Sequence, residues 1–432
     1  MDQLLQLALN KVVKRGRLQV TTSRGVTLNS GDGTGAAVSV RFADSGAQWA
    51  FLRDPDLQLG ELFMDGRLIV DQGTVYDFLM LLLGDSRTQK PPAFIRFVDR
   101  LRHATRHFKT KNFRAQARGN VAHHYDLDER LYRLFLDADM QYSCAYFEHD
   151  GQSLEDAQLA KKRHIAAKLL VEPQHRILDI GCGWGGLGLY LAEVAGAAHV
   201  RGITLSEQQL SVAHARQAKS TRGRQVEFVL QDYRDATGTF DRIVSVGMFE
   251  HVGPAFYETY FETCHRLLAP DGVMLLHTIG SSDVPGFTMP WLNKYIFPGA
   301  YVAALSEIIP VIERAGLIVS DIEILQLHYA WTLREWRNRF MARRAEAKLL
   351  YDERFCRMWE YYLAAGEAAF RCEDVNIFQL QICKAPAVVP ATRDYVHLRE
   401  HMLRQKEQDF LGKSAIVKRS PGNETMAGAG LQ

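Results

Sequence analysis

The sequence predicts an α/β protein: a doubly wound, mostly parallel sheet of seven strands, preceded by a smaller N-terminal α+β domain. Three observations carry this. Apolar runs alternate with helical patterns from residue 176 to about 384, the rhythm of a parallel sheet covered by helices on both faces. The first of those runs ends in a glycine-rich turn, with glycines at 181, 183, 185 and 186. The 432 residues also exceed what one small core holds, so a second domain is expected.

Each element follows from its own pattern. Strands are expected near 176–180, 199–204, 226–231, 240–246, 272–279, 318–326 and 376–384, and helices at about 187–195, 207–219, 256–268 and 306–315. Two insertions interrupt the alternation, 281–300 with three prolines and several aromatics, and 327–375, rich in Trp, Tyr and Arg. Loops this long in a compact domain are lids or binding elements. The chain divides into an N-terminal part (1–118), a central part (119–390) and a polar tail (391–432) that opens with a charged helical stretch and ends in mobile residues.

In the N-terminal part, Val38 to Phe42 alternates like a strand, Asp65-Gly66 marks a turn, and Leu68-Ile69-Val70 follows it. Residues 87–118 then carry ten Lys/Arg and one acid, Asp99. Phe94, Phe97, Leu101 and Phe108 approximate one face of a helix there. Such a segment reads either as a membrane-surface helix or as a solvated linker.

Composition narrows the partners. A net charge of +2 argues against a general polyanion binder, and six cysteines without a C-x-x-C pair suggest reduced thiols in the cytoplasm. Phe78 to Leu83 is much shorter than the ~20 apolar residues a membrane span needs, so membrane contact is expected to be peripheral.

The turn at 181–186 lets the backbone approach a ligand closely. It fits neither the dinucleotide pattern G-x-G-x-x-G nor the phosphate loop, so a nucleoside with a short charged tail, S-adenosylmethionine, suits it better. Ligands of such sheets sit at the carboxyl ends of the strands. There the second strand ends in Thr204, with Gln209 in the next helix, where methyltransferases of this architecture usually place an acid for the ribose hydroxyls. The third ends in Asp232-Tyr233, an acceptor for the adenine amino group and a stacking ring; the lesser alternative for Asp232 is a simple helix cap. The fourth runs into Glu250 and the fifth ends at His277, two polar groups at adjacent strand ends beside the methyl donor. The [DNS]-P-P-[YFW] word of amino-methylating nucleic-acid enzymes is absent after the fourth strand, where Gly247-Met-Phe-Glu stands, so no nucleic-acid partner is expected.

The words HYDL (124–127), MQYSCAYF (140–147), ILDIGCGWGG (177–186), GITLSEQQ (202–209), GMFEHVG (247–253), HTIG (277–280) and HYAWTLREW (328–336) resemble, in order, those of the cyclopropane-fatty-acyl-phospholipid synthases and their mycolic-acid relatives. LGELFMDG at 59–66 resembles the extra domain of the phospholipid-acting members. The resemblance implies a class I methyltransferase fold. It implies addition of the S-adenosylmethionine methyl group to a cis double bond of a phospholipid chain at a membrane surface, then proton loss and ring closure. Family members hold a bicarbonate as base. The matching positions are Cys144, Glu250, His277, Ile279 and Tyr329, with backbone groups of Cys144 and Ile279 completing the anion's shell. By the same carry-over Tyr142, Ser143, Gly181, Gly183, Thr204, Gln209, Asp232 and Tyr233 surround the donor. Asp128-Glu129-Arg130 and Trp331 depart from the family pattern, which puts acyl-chain preference in question. A homodimer is a further expectation. The alternatives are alkene methylation without ring closure, and N-methylation of a small amine.

Overall fold

The computed structural model describes residues 1–84, 127–286 and 288–419. The basic segment 87–118, the division at 118/119 and the first three residues of the HYDL word lie outside the described residues.

The N-terminal sheet contains β1 (Arg17–Thr21), β2 (Thr27–Ser30), β3 (Ala37–Phe42) and β4 (Leu68–Gln72), in the order β2-β1-β3-β4. Its alternation is clearest in β3, where Val38, Val40 and Phe42 face inward. The helix Val75–Leu83 starts at a capping box in which Thr74 and Asp77 satisfy each other's backbone N–H groups.

The second sheet is built from β5 (Arg176–Ile180), β6 (His199–Thr204), β7 (Val226–Leu230), β8 (Phe240–Val246), β9 (Leu268–Ser281), β10 (Ala303–Ala304), β11 (Ile318–Leu325) and β12 (Val375–Cys383). Seven of these form the path β11-β12-β9-β8-β5-β6-β7, as expected, and the two-residue β10 adds itself to β9. β12 is antiparallel to both neighbours, and the remaining pairs are parallel. Most boundaries agree with expectation within two residues, and the start of the fifth strand differs by more. Pro270-Asp271-Gly272 reads as a turn in sequence, yet β9 begins at Leu268 and passes through it, with a register shift against β8 between Phe240 and Arg242. The strand order reverses between β5 and β8, which opens a crevice at their carboxyl ends.

Both insertions become structure that joins the two sheets. The 281–300 segment presents Trp291, fully buried, whose indole N–H donates to Met64 Sδ at 3.2 Å and whose ring lies 4.6 Å from Tyr361. Beside it Lys294 and Tyr295 both bond Glu61, at 2.6 and 2.8 Å. The 327–375 segment forms helices His328–Ala342, Arg344–Leu350 and Glu353–Cys372, and Arg337 from the first places its guanidinium 4.3 Å from the Tyr76 ring.

The stretch expected as a polar tail begins with a helix, Asp394–Arg419, that folds back onto helix Leu154–Lys168. The physical reason lies in the second helix. Lys161, Lys162, Arg163, His164 and Lys168 are all buried there, and buried cations require anions. Glu407 pairs with Arg163 at 2.9 Å and Glu400 with His164 at 2.7 Å. Among the described residues no helix is long and apolar enough to cross a membrane.

Candidate active site

The turn after β5 is shaped by its glycines. Gly181 has φ +85°, and a Cβ there would stand 2.8 Å from Met248 Cβ; an alanine would be strained and would collide. Its N–H and that of Cys182 donate to Ile203 O at 2.9 and 3.0 Å, pinning the turn to β6.

All eight residues expected around the donor line one cleft at the switch point: Tyr142, Ser143, Gly181, Gly183, Thr204, Gln209, Asp232 and Tyr233. The Thr204 hydroxyl donates to Gln209 Oε1 at 3.0 Å, so the two groups form a unit. Asp232 does cap the short helix Tyr233–Asp235, accepting the Arg234 N–H at 3.0 Å, and it clamps the Arg234 guanidinium at 2.8 and 2.5 Å. A carboxylate has about four acceptor sites, so capping leaves capacity for a ligand. Tyr142 and Tyr362 share a hydrogen bond of 2.9 Å between their hydroxyls.

The cleft also contains groups that sequence reasoning missed. Lys161, fully buried, donates to Gln141 Oε1 and Ser143 Oγ, both at 2.8 Å. Asp179, 1 % exposed, has Oδ2 buried without a hydrogen-bond partner among the described residues. Burial pushes its carboxyl up to about 7, moderated by the Lys161 charge, and burial likewise pulls Lys161 down to about 8. Asp179 was visible as the acid of ILDIGCG. Lys161 gave no signal, because the word Lys-Lys-Arg-His looks like a solvated helix face.

A second group adjoins the cleft. Glu250, in the short helix Phe249–His251, accepts the Ile279 N–H through Oε1 at 2.6 Å. The Ile279 N–H, expected among the backbone groups around the anion, is given to Glu250 and orients that carboxylate. Glu250 Oε2 is buried with no hydrogen-bond partner in good geometry among the described residues, and burial raises the carboxyl to about 7 against the lowering effects of that N–H, its own backbone N–H and the nearby Thr278 hydroxyl. His277 stands two residues before Ile279 on the same strand. Its Nδ1 lies 3.1 Å from Gln379 Nε2, its Nε2 is buried without a partner among the described residues, and burial lowers its pKa to about 3. The ring is neutral at physiological pH.

Cys144 is buried, one residue after Ser143, which lines the cleft. Its thiol donates to Ala145 O at 3.2 Å, and burial pushes its pKa far upward, so the thiolate is inaccessible. Tyr329 belongs to an aromatic wall, its ring 4.8 Å from Phe370 and 5.8 Å from Trp336; Trp336 in turn is 5.1 Å from Tyr142. Trp331 points elsewhere, onto Phe147 and His328.

A doubly wound sheet with β12 reversed, a glycine turn after β5, and a cleft lined by Thr204 and Asp232 beyond the ends of β6 and β7 define a class I S-adenosylmethionine-dependent methyltransferase. Solved structures agree. The mycolic acid cyclopropane synthase CmaA1 complexed with SAH and CTAB is 34% identical, with a TM-score of 0.58 over 61% of this chain and 97% of that one. The chain belongs to the mycolic acid cyclopropane synthetase family, whose pattern matches residues 112–380. Among curated relatives, the cyclopropane-fatty-acyl-phospholipid synthase of Escherichia coli K12 is 41% identical over 331 residues, covering 76% of this chain and 83% of that protein. A probable fatty acid methyltransferase of Pseudomonas putida is 35% identical over 359 residues, covering 80% and 86%.

Proposed function

We propose that the protein adds the methyl group of S-adenosylmethionine to a cis double bond of an unsaturated phospholipid chain and closes a cyclopropane ring with loss of a proton. One observation carries this reading. Glu250 Oε2 and His277 Nε2 are both buried without partners among the described residues, and an anion bound there requires His277 Nε2 to donate. An unsatisfied buried polar group costs about 1–3 kcal/mol, so the pair suits a small anion with a hydroxyl, such as bicarbonate.

When bound, S-adenosylmethionine supplies an electrophilic methyl group and bicarbonate supplies a base. Thr204 and Gln209 hold the ribose hydroxyls, Asp232 accepts from the adenine amino group, and Tyr233 stacks on the base. Gly181 and Gly183 allow the close approach, with Tyr142 and Ser143 at the methionyl end. Lys161 and Asp179 face the methionyl carboxylate and ammonium. Glu250, His277 and Tyr329 orient the anion, the Cys144 backbone closes its shell, and Ile279 holds Glu250. An isolated alkene has no acidic proton, so attack needs no base; the proton leaves from the added methyl as the ring closes. Aromatic faces of Tyr142, Tyr329 and Trp336 stabilise the intervening carbocation by about 0.5–2 kcal/mol each.

The N-terminal domain and the segment 87–118 are assigned to the lipid surface or to dimer contact, on a peripheral enzyme of the cytoplasmic membrane face. Purified protein incubated with S-adenosylmethionine and liposomes of cis-unsaturated phospholipid is expected to add one CH₂ per acyl chain. Unchanged acyl masses would overturn the proposal. The similarity to a fatty acid methyltransferase keeps a second product open, a methyl branch, which NMR of the product distinguishes from a ring.

A further inference from the structure

The proposed site leaves unexplained why His277 presents a donor, and not a lone pair, to the pocket. Its ring is neutral, so only one nitrogen carries hydrogen. Gln379 stands directly opposite His277 in the β9/β12 pairing, with Nε2 3.1 Å from His277 Nδ1. Both side chains are buried, Gln379 fully.

The amide's orientation is set by chemistry. Lys168 Nζ lies 3.0 Å from Gln379 Oε1, and an ammonium has no acceptor. The amide oxygen must therefore face Lys168 and the NH₂ must face His277. Burial lowers the Lys168 pKa, and an ion pair with Glu323 favours its charge against that pull. Glu323 also bonds His164 Nε2 at 2.7 Å, and Glu400 of the C-terminal helix bonds His164 Nδ1 at 2.7 Å. The chain Glu400, His164, Glu323, Lys168, Gln379 thus ends at His277 Nδ1, with one donor and one acceptor assigned in each link.

We infer that Gln379, its amide fixed by Lys168, locks His277 in the tautomer that carries hydrogen on Nε2, so that Gln379 and Lys168 are positioning residues for the reaction. The role of that hydrogen rests on the anion reading above, whereas the tautomer does not.

The test reads the two separately. In ¹⁵N-histidine protein free of lipid, S-adenosylmethionine and bicarbonate, NMR should show His277 Nδ1 unprotonated and Nε2 protonated, with a His277→Asn spectrum assigning the signals. In Gln379→Glu the carboxylate accepts from Nδ1–H and the tautomer should reverse, and in Lys168→Met the two tautomers should mix. Methyl transfer by Gln379→Glu should fall about 10²-fold in kcat, the order seen when one preorganised donor is removed, with KM for S-adenosylmethionine changed less than about two-fold. A wild-type ring protonated on Nδ1, or a Gln379→Glu ring that does not reverse, overturns the lock. A reversed ring with an unchanged rate overturns the positioning role. If tautomer and kcat move together while the wild-type rate ignores added bicarbonate, the lock stands and the anion reading fails.

Discussion

Glu250 Oε1 accepts the Ile279 N–H at 2.6 Å while Oε2 of the same carboxylate stays buried and without a partner among the described residues. The first bond fixes the carboxylate against the end of β9, and the second oxygen is buried without compensation among the described residues.

That arrangement costs stability. Between its unfolded value of 4.5 and its folded value of about 7, the folded state binds more protons at Glu250, so stability falls as pH rises through this window. The loss is complete above pH about 7 and is on the order of 3 kcal/mol. Glu250→Gln, which keeps the acceptor for Ile279, should therefore raise the urea midpoint at pH about 8 while lowering methyl transfer at least about 10²-fold. A variant less stable than wild type at that pH would contradict the account.

Lys161 should matter to the donor. Lys161→Met removes the cation from Gln141, Ser143 and Asp179. A charged hydrogen bond contributes about 1.5–3 kcal/mol, so S-adenosylmethionine should bind at least about ten-fold more weakly. Quenching of Trp184, which lines the cleft, gives the dissociation constant.

The two sheets should separate when their contact is blocked. A Cβ on Gly60 would fall 2.4 Å from Trp291 Nε1. Gly60→Val should cost about 1–3 kcal/mol by overpacking, and limited proteolysis should then cut between residues 281 and 300 sooner than in wild type.

His164 gives the C-terminal helix a pH dependence. Burial opposes its charge, but hydrogen bonds to Glu323 and Glu400 prevail and hold its pKa above 6.5, despite the nearby Lys168 charge. A raised histidine contributes stability that is full below 6.5 and is lost as pH rises through the folded value. Proteolytic release of 394–419 should accelerate above that value, and His164→Gln should remove the dependence.

The basic segment 87–118 is legible only as charge and aromatic spacing. If it meets lipid, activity on liposomes should fall when anionic lipid is omitted or salt is raised, since screening weakens surface attraction. A rate insensitive to both would make the segment structural.

The sequence by itself determined the sheet. Strands 176–180, 199–204 and 240–246 match to the residue, because short apolar runs between glycine turns and helical patterns have few other solutions. It also pointed to one cleft for Gly181, Gly183, Thr204, Asp232 and Tyr233, since they follow strand ends and strand ends of a parallel sheet converge on the switch point, whereas Tyr142, Ser143 and Gln209 reach the same cleft from outside the strands. Tertiary structure alone decided the rest. Arg163, His164 and Lys168 look like solvent-facing charges until helix 394–419 and β11 cover them with Glu407, Glu400 and Glu323. Gln379 acquires a role only because β12 runs antiparallel to β9 and sets it opposite His277. Periodicity records which face of an element is apolar; it does not record which distant carboxylate will neutralise a buried cation, because that depends on contacts made more than a hundred residues away.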